Sequence, residues 1–99
     1  MTIEKNLQET TLTVKVGGGL DTTTAPELEA VFSGSLDGVK ELILDFETLE
    51  YISSAGLRVV LQAQKTMQEQ GSMKVVHANE EIMEVFDITG FVDILTIEQ

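Results

Sequence analysis

Polar and apolar residues alternate along two stretches near the start of the chain. Ile3 and Leu7 stand among Thr2, Glu4 and Asn6, and Leu12, Val14 and Val16 alternate with Thr11, Thr13 and Lys15. A period of two is that of a half-buried strand, so residues 2–7 and 11–16 predict a hairpin turning near Gln8-Glu9-Thr10. Gly17-Gly18-Gly19 is expected to end the second strand in a permissive loop. The period then lengthens. Leu28, Val31, Phe32 and Leu36 recur at helical spacing behind Thr24-Ala25-Pro26-Glu27. That tetrapeptide fits a capping box with Thr24 at the N-cap and Glu27 at N3, and proline is tolerated in a first turn. Ser33-Gly34-Ser35 weakens the end of this helix, and Gly38 punctuates the following loop. Leu42-Ile43-Leu44-Asp45-Phe46 predicts a third strand over 41–46, covered on both faces. Leu57, Val60, Leu61, Gln64 and Met67 predict a second helix that starts at Ser53 or Ser54 and is capped by Gly71. Residues 73–77 read as a fourth strand. Asn79 caps a short third helix with Ile82, Val85 and Phe86 inward, ended near Gly90. Residues 92–97 read as a last strand.

The predicted order is β-β-α-β-α-β-α-β, an α/β fold with a mixed, mainly parallel sheet and an antiparallel hairpin at its edge. Ninety-nine residues suit one domain over 1–99, large enough to bury roughly 60–70% of the unfolded surface.

Charge narrows the partners. Seventeen acidic against six basic residues give a net charge of −11, which disfavours nucleic acid and anionic lipid and favours a basic partner surface. Solubility alone also accounts for such a surface. With no cysteine, disulfides and thiolate metal sites are excluded. No run approaches the roughly 18 apolar residues of a membrane-spanning helix, and Met1-Thr2-Ile3-Glu4-Lys5 lacks a secretory pattern, so a cytoplasmic chain without direct membrane insertion is expected.

Little of the remaining chemistry is specific. The glycine triplet matches neither G-x-G-x-x-G nor a P-loop and reads as a turn. His77, the only histidine, would have to meet Ser54 to form a hydrolase pair, yet residues 51–56 are not a nucleophile elbow. Asp21, Asp45, Glu47 and Glu50 gather near strand ends without the loop spacing of a hard-cation site, and read as a solvated rim. The methionines and Phe32, Phe46, Phe86 and Phe91 read as core or interface. No catalytic residue, cofactor or metal is expected. What stands out is Tyr51-Ile52-Ser53-Ser54-Ala55-Gly56-Leu57, where a strand hands over to a helix. Unpaired backbone N–H groups and the helix dipole favour negative charge there. Its serines could be caps, a nucleophile or a phosphate acceptor.

Leu20-Asp21-Thr22-Thr23-Thr24-Ala25, Leu42-Ile43-Leu44-Asp45-Phe46 and Tyr51-Ile52-Ser53-Ser54-Ala55-Gly56-Leu57 together resemble the STAS domain, and more narrowly the bacterial anti-sigma factor antagonists. The resemblance spans nearly the whole chain. It implies a mixed sheet packed with helices and a non-enzymatic partner-switching function. An unphosphorylated antagonist binds an ATP-dependent anti-sigma factor serine kinase and frees the sigma factor. Phosphorylation of one serine ends the complex, and a metal-dependent serine phosphatase restores it. Counting back two residues from Gly56 places the acceptor at Ser54, with Ser53 as the alternative. Asp21, Thr24, Asp45, Ser53, Ala55, Gly56 and Leu57 fall on the implied partner-binding positions. Ser53 stands where the family often has Asp, and Ala55 where it often has Ser or Thr. Two other readings stay open: a phosphorylation-independent STAS subunit of a membrane transport or lipid-trafficking complex, and a small serine hydrolase using Ser54 and His77.

Overall fold

The alternation in the first twenty residues builds a hairpin. In the computed structural model, which describes residues 1–98, β1 (Thr2–Gln8) pairs antiparallel with β2 (Thr11–Leu20) from Thr2 opposite Gly17 to Gln8 opposite Thr11. The chain then runs through α1 (Ala25–Ser35), β3 (Glu41–Asp45), β4 (Leu49–Ile52), α2 (Ser54–Gln70), β5 (Ser72–Val76), α3 (Glu80–Thr89), a 3-10 turn (Phe91–Asp93) and β6 (Ile97–Glu98). The sheet order is β1-β2-β3-β5-β6, with β4 paired to the far end of β2. Every pairing except the opening hairpin is parallel, as helical crossovers require.

Burial follows the strand period. Leu12, Val14, Val16, Leu42, Leu44, Met73 and Val75 are buried, whereas Thr11, Thr13, Lys15, Glu41, Ile43, Asp45, Lys74 and Val76 between them are half-exposed. The helices therefore cover one face of the sheet. The expectation that the third strand is covered on both faces fails at Ile43, which looks out beside Thr13 and Lys74. Phe46, Phe86, Leu20, Leu28 and Met67 fill the core.

Other expectations are corrected by packing. β2 does not stop at the glycine triplet but runs through it to Leu20. At Gly17 an added Cβ would lie 2.7 Å from the hydroxyls of Thr2 and Thr48, and at Gly19 it would enter the Tyr51 ring. Gly18 takes φ 87° where the β2–β4 register shifts, a backbone that disfavours a side chain. The triplet thus makes room for a neighbouring strand. That strand, β4, was not predicted. Its burial pattern, with Leu49 and Ile52 inward and Glu50 and Tyr51 outward, has no period of two. Gly71 does cap α2 as expected, its N donating to Met67 O at 2.7 Å, with extended backbone at φ 177°; a Cβ there would strike the Lys40 carbonyl, to which Ser72 N donates at 2.9 Å. The inner face of α2 also turns slightly, with Val59 and Ala63 buried and Leu61 and Gln64 only half-buried. The last strand shrinks to Ile97–Glu98. Of the apolar residues before it, Phe91 stacks on Phe86 at 6.4 Å and Leu95 is buried, whereas Val92 and Ile94 are exposed. Asn79 caps α3 as expected, its Oδ1 accepting from Ile82 N at 2.8 Å, and Gly90 ends that helix at φ 81°.

Candidate functional site

The extension of β2 beyond β3 and the short β4 beside it set up one corner of the molecule. Ser53 N donates to Leu20 O at 2.8 Å, which fixes the start of α2 against the end of β2. Ser53 occupies the N-cap position with extended backbone, but its hydroxyl makes no cap. The Ser53 Oγ is buried without a hydrogen-bond partner. Ser54, the first residue of α2, is exposed. The tight seat is made possible by Gly56, where a Cβ would lie 2.7 Å from Leu20 Cγ, 2.9 Å from Ile52 Cγ1 and 3.0 Å from Leu20 O. Ala55 is half-buried beside Ser54, and Gly56 and Leu57 are buried, so they support the corner from below.

The loop between β2 and α1 closes the other side. Asp21 Oδ1 accepts from Thr23 Oγ1 at 2.7 Å, Thr23 N at 3.0 Å and Thr24 N at 3.2 Å. Thr24 Oγ1 accepts from Asp21 N at 2.9 Å and donates to Gly19 O at 2.8 Å. The expected capping box therefore does not form: the Thr24 hydroxyl is spent within its own loop, and no side chain caps α1. Tyr51, outside the set of residues expected at the site, reaches across from β4 and donates its hydroxyl to Asp21 Oδ2 at 2.8 Å. The Thr23 hydroxyl first, and the Tyr51 hydroxyl second, hold the Asp21 carboxyl well below the usual carboxylate range. Tyr51 shifts the opposite way, above the ordinary tyrosine value. The hydrogen bond to Asp21 is the main cause, followed by the Asp21 charge. Tyr51 is nonetheless 47% exposed. The sequence marks Tyr51 only as part of the strand-to-helix junction, because its partnership with Asp21 and Gly19 exists only once β4 pairs with β2.

Over residues 2–99 the sequence matches the STAS domain. The chain belongs to that family. A putative anti-sigma factor antagonist, BtrV, of Bordetella bronchiseptica is 38% identical over 82 residues, covering 81% of this chain and 71% of the relative. The anti-sigma-B factor antagonist of Staphylococcus aureus is 31% identical over 101 residues, covering 100% of this chain and 94% of the relative. Among solved structures, an anti-sigma factor antagonist from Mycobacterium paratuberculosis superimposes with a TM-score of 0.88 at 22% identity, over 97% of this chain and 83% of that one. The anti-sigma factor antagonist SpoIIAA in its unphosphorylated form gives 0.78 at 18% identity, over 99% and 88%. These structures share the fold.

In this STAS domain the residues expected at the site divide between two places. Asp21, Thr24, Ser53, Ser54, Ala55, Gly56 and Leu57 meet at the α2 corner. Asp45 does not join them. It ends β3 opposite Lys15 of β2, five residues short of Leu20 and on the order of 15 Å back along the strand. Its Oδ1 accepts from Glu47 N at 3.0 Å and lies 3.0 Å from His77 Nδ1. Burial alone would raise the Asp45 carboxyl, but the bonds from His77 and Glu47 outweigh it and hold the group below its ordinary value. His77, at φ 62°, is thus engaged by Asp45, and among the described residues no hydrogen bond joins it to Ser54. The Ser54–His77 pairing that a hydrolase reading needs is therefore not formed among the described residues. The carboxylates also stay apart: among the described residues no three His, Cys, Asp or Glu side chains are placed to hold a metal ion. Among the described residues, no helix is long and apolar enough to cross a membrane.

Proposed function

We propose that this STAS domain is an anti-sigma factor antagonist that works by partner switching, with Ser54 as its phosphorylated residue. The observation that carries the assignment is the contrast between two adjacent serines. Ser54 is exposed at the first position of a 17-residue helix, while the Ser53 hydroxyl is buried. The antagonist relatives in Bordetella and Staphylococcus support the class of function.

In this reading the unphosphorylated domain docks on a cytoplasmic anti-sigma factor serine kinase through the α2 corner, and the sigma factor is released. Ser54, Ala55, Tyr51 and the Asp21–Thr24 loop face the partner; Ser53, Gly56 and Leu57 hold that face in shape. Asp45 and His77 lie beyond it. The Ser54 hydroxyl takes the γ-phosphoryl group of ATP, releasing ADP and a proton. A metal-dependent serine phosphatase returns it by hydrolysis. The antagonist itself does no chemistry. A phosphate brings about −1.5 to −2 charges. At an exposed helix N-terminus that charge is favoured by roughly 0.3–1 kcal/mol, so the fold survives and the switch acts on docking. A phosphate pressed against nucleotide phosphates or acidic groups must be desolvated without compensation, which costs binding.

Incubation with the cognate kinase and ATP, followed by mass spectrometry, is expected to place one phosphate on Ser54 and none on Ser53. An active kinase that leaves Ser54 unmodified would refute the reading. Ser54→Asp is expected to lose kinase binding while its circular dichroism stays native.

A further inference from the structure

Four residues beyond Ser54 stands Arg58, the single arginine of the chain. Residues four apart on a helix share a face, one turn above the other. Helical side chains also lean toward the N-terminus, so a side chain at Arg58, exposed on α2, can reach the turn that Ser54 begins. With Ala55, Thr22, Ala25, Pro26 and Glu29 it lines a hollow of about 320 Å³ between the N-terminal halves of α1 and α2. Among the described residues, the ion pairs are Lys15 with Glu47, Lys74 with Glu98 and His77 with Asp45. Arg58 has no carboxylate partner within ion-pair distance among the described residues.

The other ionisable groups on the elements around this corner are Asp21 in the loop, Glu27 and Glu29 on α1, Glu50 and Tyr51 on β4, Lys15 on β2, and Lys65 and Glu69 on α2. The cations among these, Lys15 and Lys65, stand five residues before the end of β2 and seven residues beyond Arg58, and the first turn of α2 contains no acidic residue. A guanidinium with five donors and no partner is thus left one helical turn from an exposed hydroxyl. We propose that Arg58 clamps the phosphate of phosphorylated Ser54 from within the same helix. The inference rests on the assignment of Ser54 above and adds how the phosphorylated form is held.

The chemistry fits the residue type. Arginine meets a phosphate through two parallel N–H···O bonds, which lysine cannot reproduce. In the unphosphorylated domain the guanidinium is free to meet acidic or phosphate groups of a partner. Once Ser54 is phosphorylated, the same guanidinium is occupied by the chain's own phosphate. The partner then meets a closed ion pair in place of a hydroxyl and an open cation. A phosphatase must open that pair before it reaches the phosphoester, so Arg58 also lengthens the life of the phosphorylated state.

The test does not need the kinase. Phosphoserine is installed at position 54 by genetic encoding, and its second ionisation is followed by ³¹P NMR between pH 4 and pH 8 in the parent sequence, Arg58→Gln and Arg58→Lys. The helix dipole and the neighbouring carboxylates act alike on all three, so differences report position 58. The parent is expected to titrate roughly half a unit or more below Arg58→Gln, with Arg58→Lys between them. Equal midpoints in the parent and Arg58→Gln would overturn the clamp. That result is separate from the kinase experiment, whose failure would overturn the Ser54 assignment and leave the ³¹P measurement standing.

Discussion

Replacing Gly56 by alanine puts the packing argument at its sharpest. In an open helix the change should stabilise, because glycine is about 1 kcal/mol worse than alanine in a helix interior. Gly56 is not in the open. The new methyl would lie 2.7 Å from Leu20 Cγ, 2.9 Å from Ile52 Cγ1 and 3.0 Å from Leu20 O. Leu20 is fully buried and Ile52 is 7% exposed, and the Leu20 carbonyl is the acceptor that seats Ser53. Overpacking of a tight site costs about 1–3 kcal/mol. With two core side chains and one backbone oxygen in the way, the upper part of that range applies. After the propensity gain, Gly56→Ala should lose about 1–2 kcal/mol. In a domain of this size each kcal/mol moves Tm by roughly 4–8 °C, so thermal unfolding should show a fall of about 5–10 °C. Gly34→Ala is the matched control. Gly34 lies in α1 with nothing within 4 Å of its added Cβ, so the same substitution should raise stability by about 0.5–1 kcal/mol. If Gly56→Ala melts at or above the parent temperature, the close approach of α2 to the end of β2 is not what holds this corner.

Three further outcomes test other contacts. Tyr51 is the only tyrosine and there is no tryptophan, so phenolate absorbance reads that one group. It should titrate above the ordinary value of about 10, and Asp21→Asn should bring it back; an unchanged midpoint would mean that the two side chains are not bonded in solution. Asp45 has its carboxyl held below the ordinary value. Its contribution is therefore complete above about pH 4 and disappears as pH falls through the lowered folded value. Urea unfolding at stepped pH should show a shallower acid-side loss for Asp45→Asn, and an identical slope would rule out the contribution. Asn79→Ala removes the cap on Ile82 N together with the Nδ2 bond to Leu49 O. It should cost about 1–2 kcal/mol in urea unfolding, and a loss below a few tenths would show that water replaces the cap.

Much of this molecule is local and was therefore readable from the chain. The alternation of Leu12, Val14 and Val16, the helical spacing of Leu28 and Phe32, and the Asn79 cap each depend on residues within one or two turns of one another. Their burial and backbone geometry follow from periods that any one-faced element must obey. The family resemblance was legible for the same reason: it rests on three short segments. What escaped depends on contacts between distant parts of the chain. β4 exists because the tail of β2 outruns β3 and leaves backbone groups to pair. The glycine triplet reads as a loop until Thr48 and Tyr51 are set against it. Gly71 reads correctly as the cap of α2, but only the Lys40 carbonyl beside it shows why no side chain fits there. Thr24 reads as a helix cap until Gly19 offers its hydroxyl a carbonyl. The division of the site was likewise tertiary, since only the sheet register puts Asp45 with His77 and leaves Ser54 with Tyr51, Asp21 and Arg58. Sequence alone placed two hydroxyls at a strand-to-helix junction. The fold made them unlike in exposure, because with Ser53 N seated on Leu20 O one hydroxyl lies in the interior and the next residue stays on the surface.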